Sequence, residues 1–234
     1  MKALILNSGL GSRMGKYTAS SPKCMVELTD GETIVARQLR LISRMGISEV
    51  VMTTGPYEEL LKDHIKELGL PLQIEFVNNP QYNETNYIYS IYLARELLHD
   101  EILLMHGDLV FEEKVLEQVM KSKVDCMAVS SALELPEKDF KAVLKDGLIK
   151  AVGIEFMESA VAAQPLYHFG KKAWGIWLDR IATFCESGEV SCYAENALNQ
   201  VTNQIKLYPY DFGEMLCQEV DKEEDLIAVR SILK

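Results

Sequence analysis

The stretch LNSGLGSRMGKYTASSPKCMVE, residues 6–27, decides how this chain folds. It follows directly on the apolar run of residues 2–6, which reads as a buried strand opening the chain. A glycine-rich turn straight after such a strand lets backbone N–H groups approach a phosphate closely, because Gly9 and Gly11 bring no Cβ. The same turn supplies cations. Arg13 carries a planar fork of donors suited to phosphate oxygens, and Lys23, behind Ser21-Pro22, adds a mobile point charge. Together Leu6, Asn7, Ser8, Gly9, Gly11 and Ser12, with Arg13 and Lys23, predict a nucleoside triphosphate site.

Spacing separates this loop from two look-alikes. A dinucleotide fold wants G-x-G-x-x-G and an acidic residue at the end of the second strand. Met14 holds the third glycine position, and the expected second strand, residues 49–54, ends in Thr-Thr-Gly. A P-loop wants G-x-x-x-x-G-K-[ST]. Counting back from Gly15-Lys16 puts Leu10 at the first glycine and Tyr17 at the Ser/Thr that would meet magnesium.

Gly9-Leu10-Gly11-Ser12-Arg13 followed by Pro22-Lys23 resembles the signature G-x-G-[ST]-R … P-K of the nucleotidyltransferases that make sugar and alcohol nucleotides. The resemblance implies a loop that wraps the triphosphate, an arginine on the departing pyrophosphate and a lysine on the α-phosphate. The family's L-x-P-x-T is replaced here by Met14-Gly15-Lys16-Tyr17-Thr18, which leaves the role of Lys16 open.

Two acids downstream agree. Residues 101–108 read as a buried strand ending in Asp108, and ligands of open α/β sheets bind beyond the carboxyl ends of strands. Near the C-terminus Glu219-Val220-Asp221 precedes an amphipathic helix over residues 222–233, with Leu226, Val229, Ile232 and Leu233 on one face. The resemblance makes Asp108 and Asp221 the ligands of Mg²⁺, an ion that takes one or two carboxylates plus phosphate oxygens. The competing reading of each aspartate is a helix cap.

Residues 78–90, NNPQYNETNYIYS, place amides after a strand and ahead of a helix. Asn offers donor and acceptor side by side, as a base edge requires. Tyr82, Asn86, Tyr89, Ser90, Tyr92 and Leu93 are similar to a cytidine-holding stretch of bacterial phosphocholine cytidylyltransferases, which makes Asn86 and Ser90 candidates for base or ribose contacts. The acceptor end departs from that pattern. Tyr193-Ala194-Glu195-Asn196 stands where those enzymes carry Tyr-Trp-Asp-Asn, so the tryptophan of a choline cage is absent. The departure favours a smaller or more polar acceptor, a glycerol phosphate or an aminoethylphosphonate, with Tyr167, Tyr193 and Glu195 as candidates to hold it. Trp174 and Trp177, at i and i+3 of a helix, read as core.

The expected reaction is transfer of CMP from CTP to a small phosphorylated alcohol or phosphonate, with release of pyrophosphate. Other readings stay open: a hexose 1-phosphate enzyme using another nucleotide, a nucleotide-binding regulator without chemistry, and a P-loop kinase. Net charge −11 argues against nucleic acid and anionic membranes as partners. A cluster of Arg13, Lys16 and Lys23 should form a local positive pocket on this acidic body. No apolar stretch approaches the length of a membrane span or a signal peptide, so a cytoplasmic enzyme is expected; a homodimer stays open. Five irregularly spaced cysteines without a C-x-x-C pair argue against zinc and disulfides. Of the four histidines, read as surface or packing residues, His106 falls nearest the expected site.

Strand and helix signals alternate through the first half: a helix over 33–46 ending in glycine, a strand over 50–54, a helix over 56–68 and a strand over 72–77. Alternation of this kind predicts an α/β fold with a doubly wound, mainly parallel, Rossmann-like sheet. The pattern breaks near residue 125. The expected division is a single domain with a nucleotide core over 1–124, an acceptor-side elaboration plus remaining core over 125–220, and a C-terminal helix over 221–234.

Overall fold

The computed structural model describes residues 1–233; Lys234, the last residue of the expected C-terminal segment, lies outside them. The chain runs β1 (Lys2–Asn7), α1 (Ile34–Arg44), β2 (Glu49–Thr54), α2 (Glu58–Glu67), β3 (Gln73–Asn78), α3 (Tyr87–Ala94), β4 (Ile102–His106), β5 (Leu109–Phe111) and α4 (Glu113–Lys121). It continues through β6 (Cys126–Ser130), β7 (Lys141–Lys145), β8 (Leu148–Gly153), β9 (Ala160–Phe169), α5 (Lys171–Glu186), α6 (Ala194–Asn199), β10 (Tyr208–Asp211), β11 (Cys217–Glu219) and α7 (Glu223–Ile232).

The central sheet has the order β10-β6-β9-β4-β1-β2-β3, with the β7–β8 hairpin joined to β9. Strands β4, β1, β2 and β3 are mutually parallel. Strand β1 is buried along residues 3–7 because both faces of the sheet carry helices, which is why its sequence is continuously apolar instead of alternating. From β1 the chain moves one way to β2 and β3 and later returns on the other side as β4, so the strand order reverses between β1 and β4. The loops leaving those two strands diverge there and open a crevice at their carboxyl ends.

The sheet is less uniformly parallel than the first half of the sequence implies. Strand β9 runs antiparallel to both β4 and β6. Within residues 125–169, expected as elaboration plus remaining core, β6 and β9 enter the central sheet, and the β7–β8 hairpin is the added part. Local signals leave this direction open because a strand's direction is set by its neighbours, not by its own residues.

Two cores pack the faces. One, under α3, α5 and α6, includes Leu4, Ile88, Leu104, Tyr167, Trp174 and Trp177. The other, under α1 and α4, includes Ile5, Leu39, Met52, Met105 and Leu116. The tryptophans are core, and each indole N–H finds a carbonyl: Trp174 donates to Leu98 and Trp177 to Ala194, at 2.8 and 3.0 Å. A third cluster seats α7, through Leu226 and Val229, against Met14 and Val26 of the N-terminal loop. That packing carries the C-terminus to the crevice. All five cysteines are free.

Candidate active site

The glycine loop closes on Lys23. Gly11 has φ +62°, and a Cβ built there would lie 2.8 Å from Lys23 Cβ, so the turn needs glycine for both conformation and space. Pro22, in extended backbone, starts the short turn that contains Lys23. A second close approach, between β1 and β4, went unnoticed in the sequence. A Cβ on Gly107 would sit 1.6 Å from Asn7 Oδ1, so Gly107 lets the first loop meet the strand that delivers Asp108.

Lys23 Nζ lies 2.5 Å from Asp108 Oδ2 and also bonds Asp221 Oδ1. Arg13 reaches the other oxygen of Asp221 at 2.9 Å. Neither aspartate is a cap: the capping box of α7 is made by Lys222 and Asp225, and the Asp225 carboxylate accepts from the backbone N–H of Asp221. Burial by itself would depress the Lys23 ammonium, but the two carboxylates outweigh it and raise it. Burial pulls Asp108 upward, yet Lys23 and then His106 hold it below the usual carboxylate range.

The expected positive pocket is corrected on two counts. Arg13 and Lys23 are matched by Asp108 and Asp221, and Lys16 turns away to pair with Glu223 at 3.0 Å. Lys16 is not among the cleft-lining residues.

The cleft, about 280 Å³, is lined by Leu6, Asn7, Ser8, Gly9, Gly11, Ser12, Arg13, Lys23, Asn86, Ser90 and Asp108 among others, so the structure brings every expected nucleotide-side residue to one cavity. Several buried polar atoms around it have no protein partner: Asn7 Nδ2, Ser8 Oγ, His106 Nε2 and Asp108 Oδ1. Unpaired buried groups are costly, and their convergence marks a place where a polar ligand completes the hydrogen bonding. Asn86 does cap α3, its carboxamide oxygen accepting from the Tyr87 N–H at 2.8 Å. Ser90 Oγ accepts from Asn79 Nδ2 at 3.0 Å.

His106, Asp108 and Glu219 each offer a ligand atom within 4.8 Å of the others, so a metal has more donors here than the two expected aspartates. His106 Nδ1 and Glu219 Oε1 are 2.8 Å apart. Burial, then the charge of Asp108, pushes the Glu219 carboxyl up to about 7, against the restraint of its bond to His106. Sequence reading missed His106 and Glu219 as site residues, although a signal existed. Each stands two residues before an expected aspartate, and in extended chain i and i+2 share a face.

Beyond Asp221 the cleft opens into a second chamber of about 240 Å³, bounded by Tyr87, Asp139, Phe140, Tyr193 and Glu219. Phe140 and Tyr193 meet edge to face at 5.2 Å, and Tyr87 tilts against Tyr193 at 5.9 Å. Burial, then Asp221 and Asp225, holds the Asp139 carboxyl above its usual value. Of the three expected acceptor residues only Tyr193 reaches this chamber. Tyr167 is 0% and Glu195 1% exposed, and neither lines the cleft or the chamber. The correction has a physical cause: Tyr167 points from β9 into the core, where its hydroxyl donates to Glu195 at 2.8 Å.

Comparison with known proteins agrees with this geometry. The chain is 34% identical over 119 residues to the CMP-5'-(3-aminopropyl)phosphonate synthase of Streptomyces rubellomurinus, matching 51% of this chain and 19% of that protein. It is 25% identical over 154 residues to the CTP:phosphoglutamine cytidylyltransferase of Campylobacter jejuni, covering 62% of this chain and 59% of that one. The chain thus spans less than two thirds of the length of either relative. The solved CTP:phosphocholine cytidylyltransferase of Streptococcus pneumoniae shares the fold with a TM-score of 0.78 at 18% identity, over 100% of this chain and 99% of that one. The model of the MobA-like NTP transferase domain matches residues 3–176. With a matched loop, a crevice at the strand reversal and well over half its length covered, the chain belongs to the MobA-like NTP transferase domain family.

Proposed function

We propose that this protein transfers CMP from CTP to a small phosphorylated alcohol or phosphonate and releases pyrophosphate. The observation that carries this reading is Lys23, held under the glycine loop between Asp108 and Asp221. The relatives named for aminopropylphosphonate and phosphoglutamine support cytidine and a small phosphoryl acceptor.

An oxygen of the acceptor's phosphate or phosphonate attacks the α-phosphorus of CTP; the new P–O bond forms as the bond to pyrophosphate breaks in line. The acceptor is already ionised near neutral pH, so no protein nucleophile is required, and catalysis reduces to positioning and charge neutralisation. Lys23 neutralises the α-phosphate. Arg13 and the backbone amides of Gly9, Gly11 and Ser12 receive the pyrophosphate, while Asn7 and Ser8 spend their unpaired groups on phosphate or ribose. Asn86, whose oxygen is committed to the helix cap, presents its amide nitrogen to the base, with Ser90 beside it. Tyr193 and the chamber around it take the acceptor.

The donor set fits Mg²⁺: carboxylate oxygens are hard ligands, and buried Asp108 Oδ1 lacks any protein partner. Asp108 and Asp221 would hold the ion, which supplies charge neutralisation on phosphate oxygens when bound. No helix among the described residues is long and apolar enough to cross a membrane. A cytoplasmic setting, and a CDP-activated product consumed in decorating cell-surface polysaccharide or lipid, complete the reading.

The test is pyrophosphate release with Mg²⁺, crossing the four common nucleoside triphosphates against phosphocholine, glycerol phosphates, aminoalkylphosphonates and hexose 1-phosphates. Release with CTP and a small phosphoryl acceptor is expected. Release only with a hexose 1-phosphate and another nucleotide, or CTP binding without release, refutes it.

A further inference from the structure

Glu195 lies on α6 with 1% of its surface exposed, and both its oxygens are engaged from within the protein. Tyr167 donates to Oε1 at 2.8 Å and Tyr87 donates to Oε2. The two tyrosines face opposite ways. Tyr167 belongs to the deepest core, packed against Phe169 and Trp177. Tyr87 opens α3 and lines both the nucleotide cleft and the acceptor chamber. Its ring meets His106 edge-on at 4.7 Å and tilts against Tyr193 at 5.9 Å.

A carboxylate taken out of water needs replacement donors, and two phenols supply them. Burial, and then the charge of Glu195, holds both phenols well above the ordinary tyrosine value, so both remain O–H donors. The carboxylate in return fixes the phenol oxygen of Tyr87 and with it the long axis of the ring, while the rings of His106 and Tyr193 packed against it set its rotation about that axis. Trp177 Nε1, donating to the Ala194 carbonyl at 3.0 Å, pins the start of α6 and keeps Glu195 in place.

We propose that Glu195 is a positioning residue: backed by Tyr167, it braces the Tyr87 ring as the partition between nucleotide cleft and acceptor chamber, and it does not touch the acceptor. The proposal rests on the functional reading above for the identity of the two ligands. Three segments distant in sequence, α3, β9 and α6, meet at this one carboxylate, so the acceptor side is tied to the nucleotide side through it.

Tyr167→Phe is the decisive variant, because Tyr167 faces neither cavity. A 1 Å misplacement caused by a mutation far from the chemistry can cost about 10²-fold in rate; a tilted ring that keeps its place costs less, and because that ring walls the chamber the loss is expected in acceptor KM, roughly tenfold, with CTP KM little changed. Glu195→Gln and Tyr87→Phe should do the same, and the Tyr167→Phe/Glu195→Gln pair should be no worse than Glu195→Gln alone. If Glu195→Gln fails to fold, the two Phe variants carry the test. Wild-type acceptor KM in Tyr167→Phe would overturn the brace, as would thermal destabilisation of all variants with KM unmoved.

A second measurement needs no turnover. The ring proton signals of His106 feel the ring current of Tyr87, so Tyr167→Phe should shift them in an NMR spectrum while leaving those of His64 and His99. Unmoved His106 signals would overturn the proposal. Absence of pyrophosphate release from the wild type with every acceptor would instead defeat the functional reading, and the NMR result would then judge the brace alone.

Discussion

The glycine loop and the second chamber, read here as the triphosphate and acceptor sites of the proposed function, lie side by side yet are built on opposite principles. The loop is contiguous: residues 6–27 provide the strand end, the glycines, Arg13 and Lys23. The chamber draws Tyr87 from α3, Asp139 and Phe140 from the segment before β7, Tyr193 from the start of α6 and Glu219 from β11. A phosphate-binding surface made of backbone amides and local cations tolerates no rearrangement of its short segment. A chamber assembled from distant side chains is free to change its occupant one residue at a time. Under the proposed function, the nucleotide half is therefore the generic part of the molecule and the acceptor half the specific one.

Substitutions that separate the halves sharpen this contrast. The largest effect is expected from Lys23→Ala. Removing one preorganised donor typically costs about 10² to 10³ in rate, so kcat should fall at least that far for every acceptor while circular dichroism shows the fold intact. Turnover close to wild type would place the reacting phosphate elsewhere.

Gly107→Ala comes next. The added methyl would overlap the Asn7 carboxamide, so that side chain must turn away from its place at the loop or β1 and β4 must separate. Overpacking of this kind costs about 1–3 kcal/mol, so a lowered melting temperature together with weaker CTP binding is expected. An unchanged melting temperature would mean that Asn7 swings aside freely.

Tyr193→Ala should touch only the specific half. Loss of an aromatic wall should raise acceptor KM by roughly tenfold, about 1.4 kcal/mol, leaving CTP KM as it was. A matching rise in CTP KM would show that the two halves are not separable.

The smallest effect is assigned to Lys16→Ala. Lys16 is exposed, pairs with Glu223 across the surface, and lies outside the cleft. Exposed pairs contribute little, so kcat/KM should change by less than about threefold. A fall like that of Lys23→Ala would return Lys16 to the phosphate site.

Much of this molecule was legible one segment at a time. The helix expected over 33–46 forms as α1, with Thr33 as its cap, the hydroxyl accepting from the Ala36 N–H, and Gly46 leaves it with φ +83°, as the glycine signal implies. Asp108 and Asp221, far apart in sequence, were each readable from a strand-like stretch ending in an acid. Their meeting at Lys23 is a tertiary fact. Tyr167 and Glu195 were misjudged because a polar residue of the acceptor half looks alike in sequence whether it faces a ligand or a partner. Only packing showed that they satisfy each other.

The sequence by itself determined the glycine loop, the helical and strand periods and the candidate carboxylates, because those depend on backbone freedom, side-chain chemistry and spacing within one segment. The tertiary structure alone decided that β9 runs antiparallel, that His106 and Glu219 gather beside Asp108, and that Tyr87 lines both cavities. Each of those follows from which surfaces the chain buries against one another, a choice made by the whole core and by no single stretch of it.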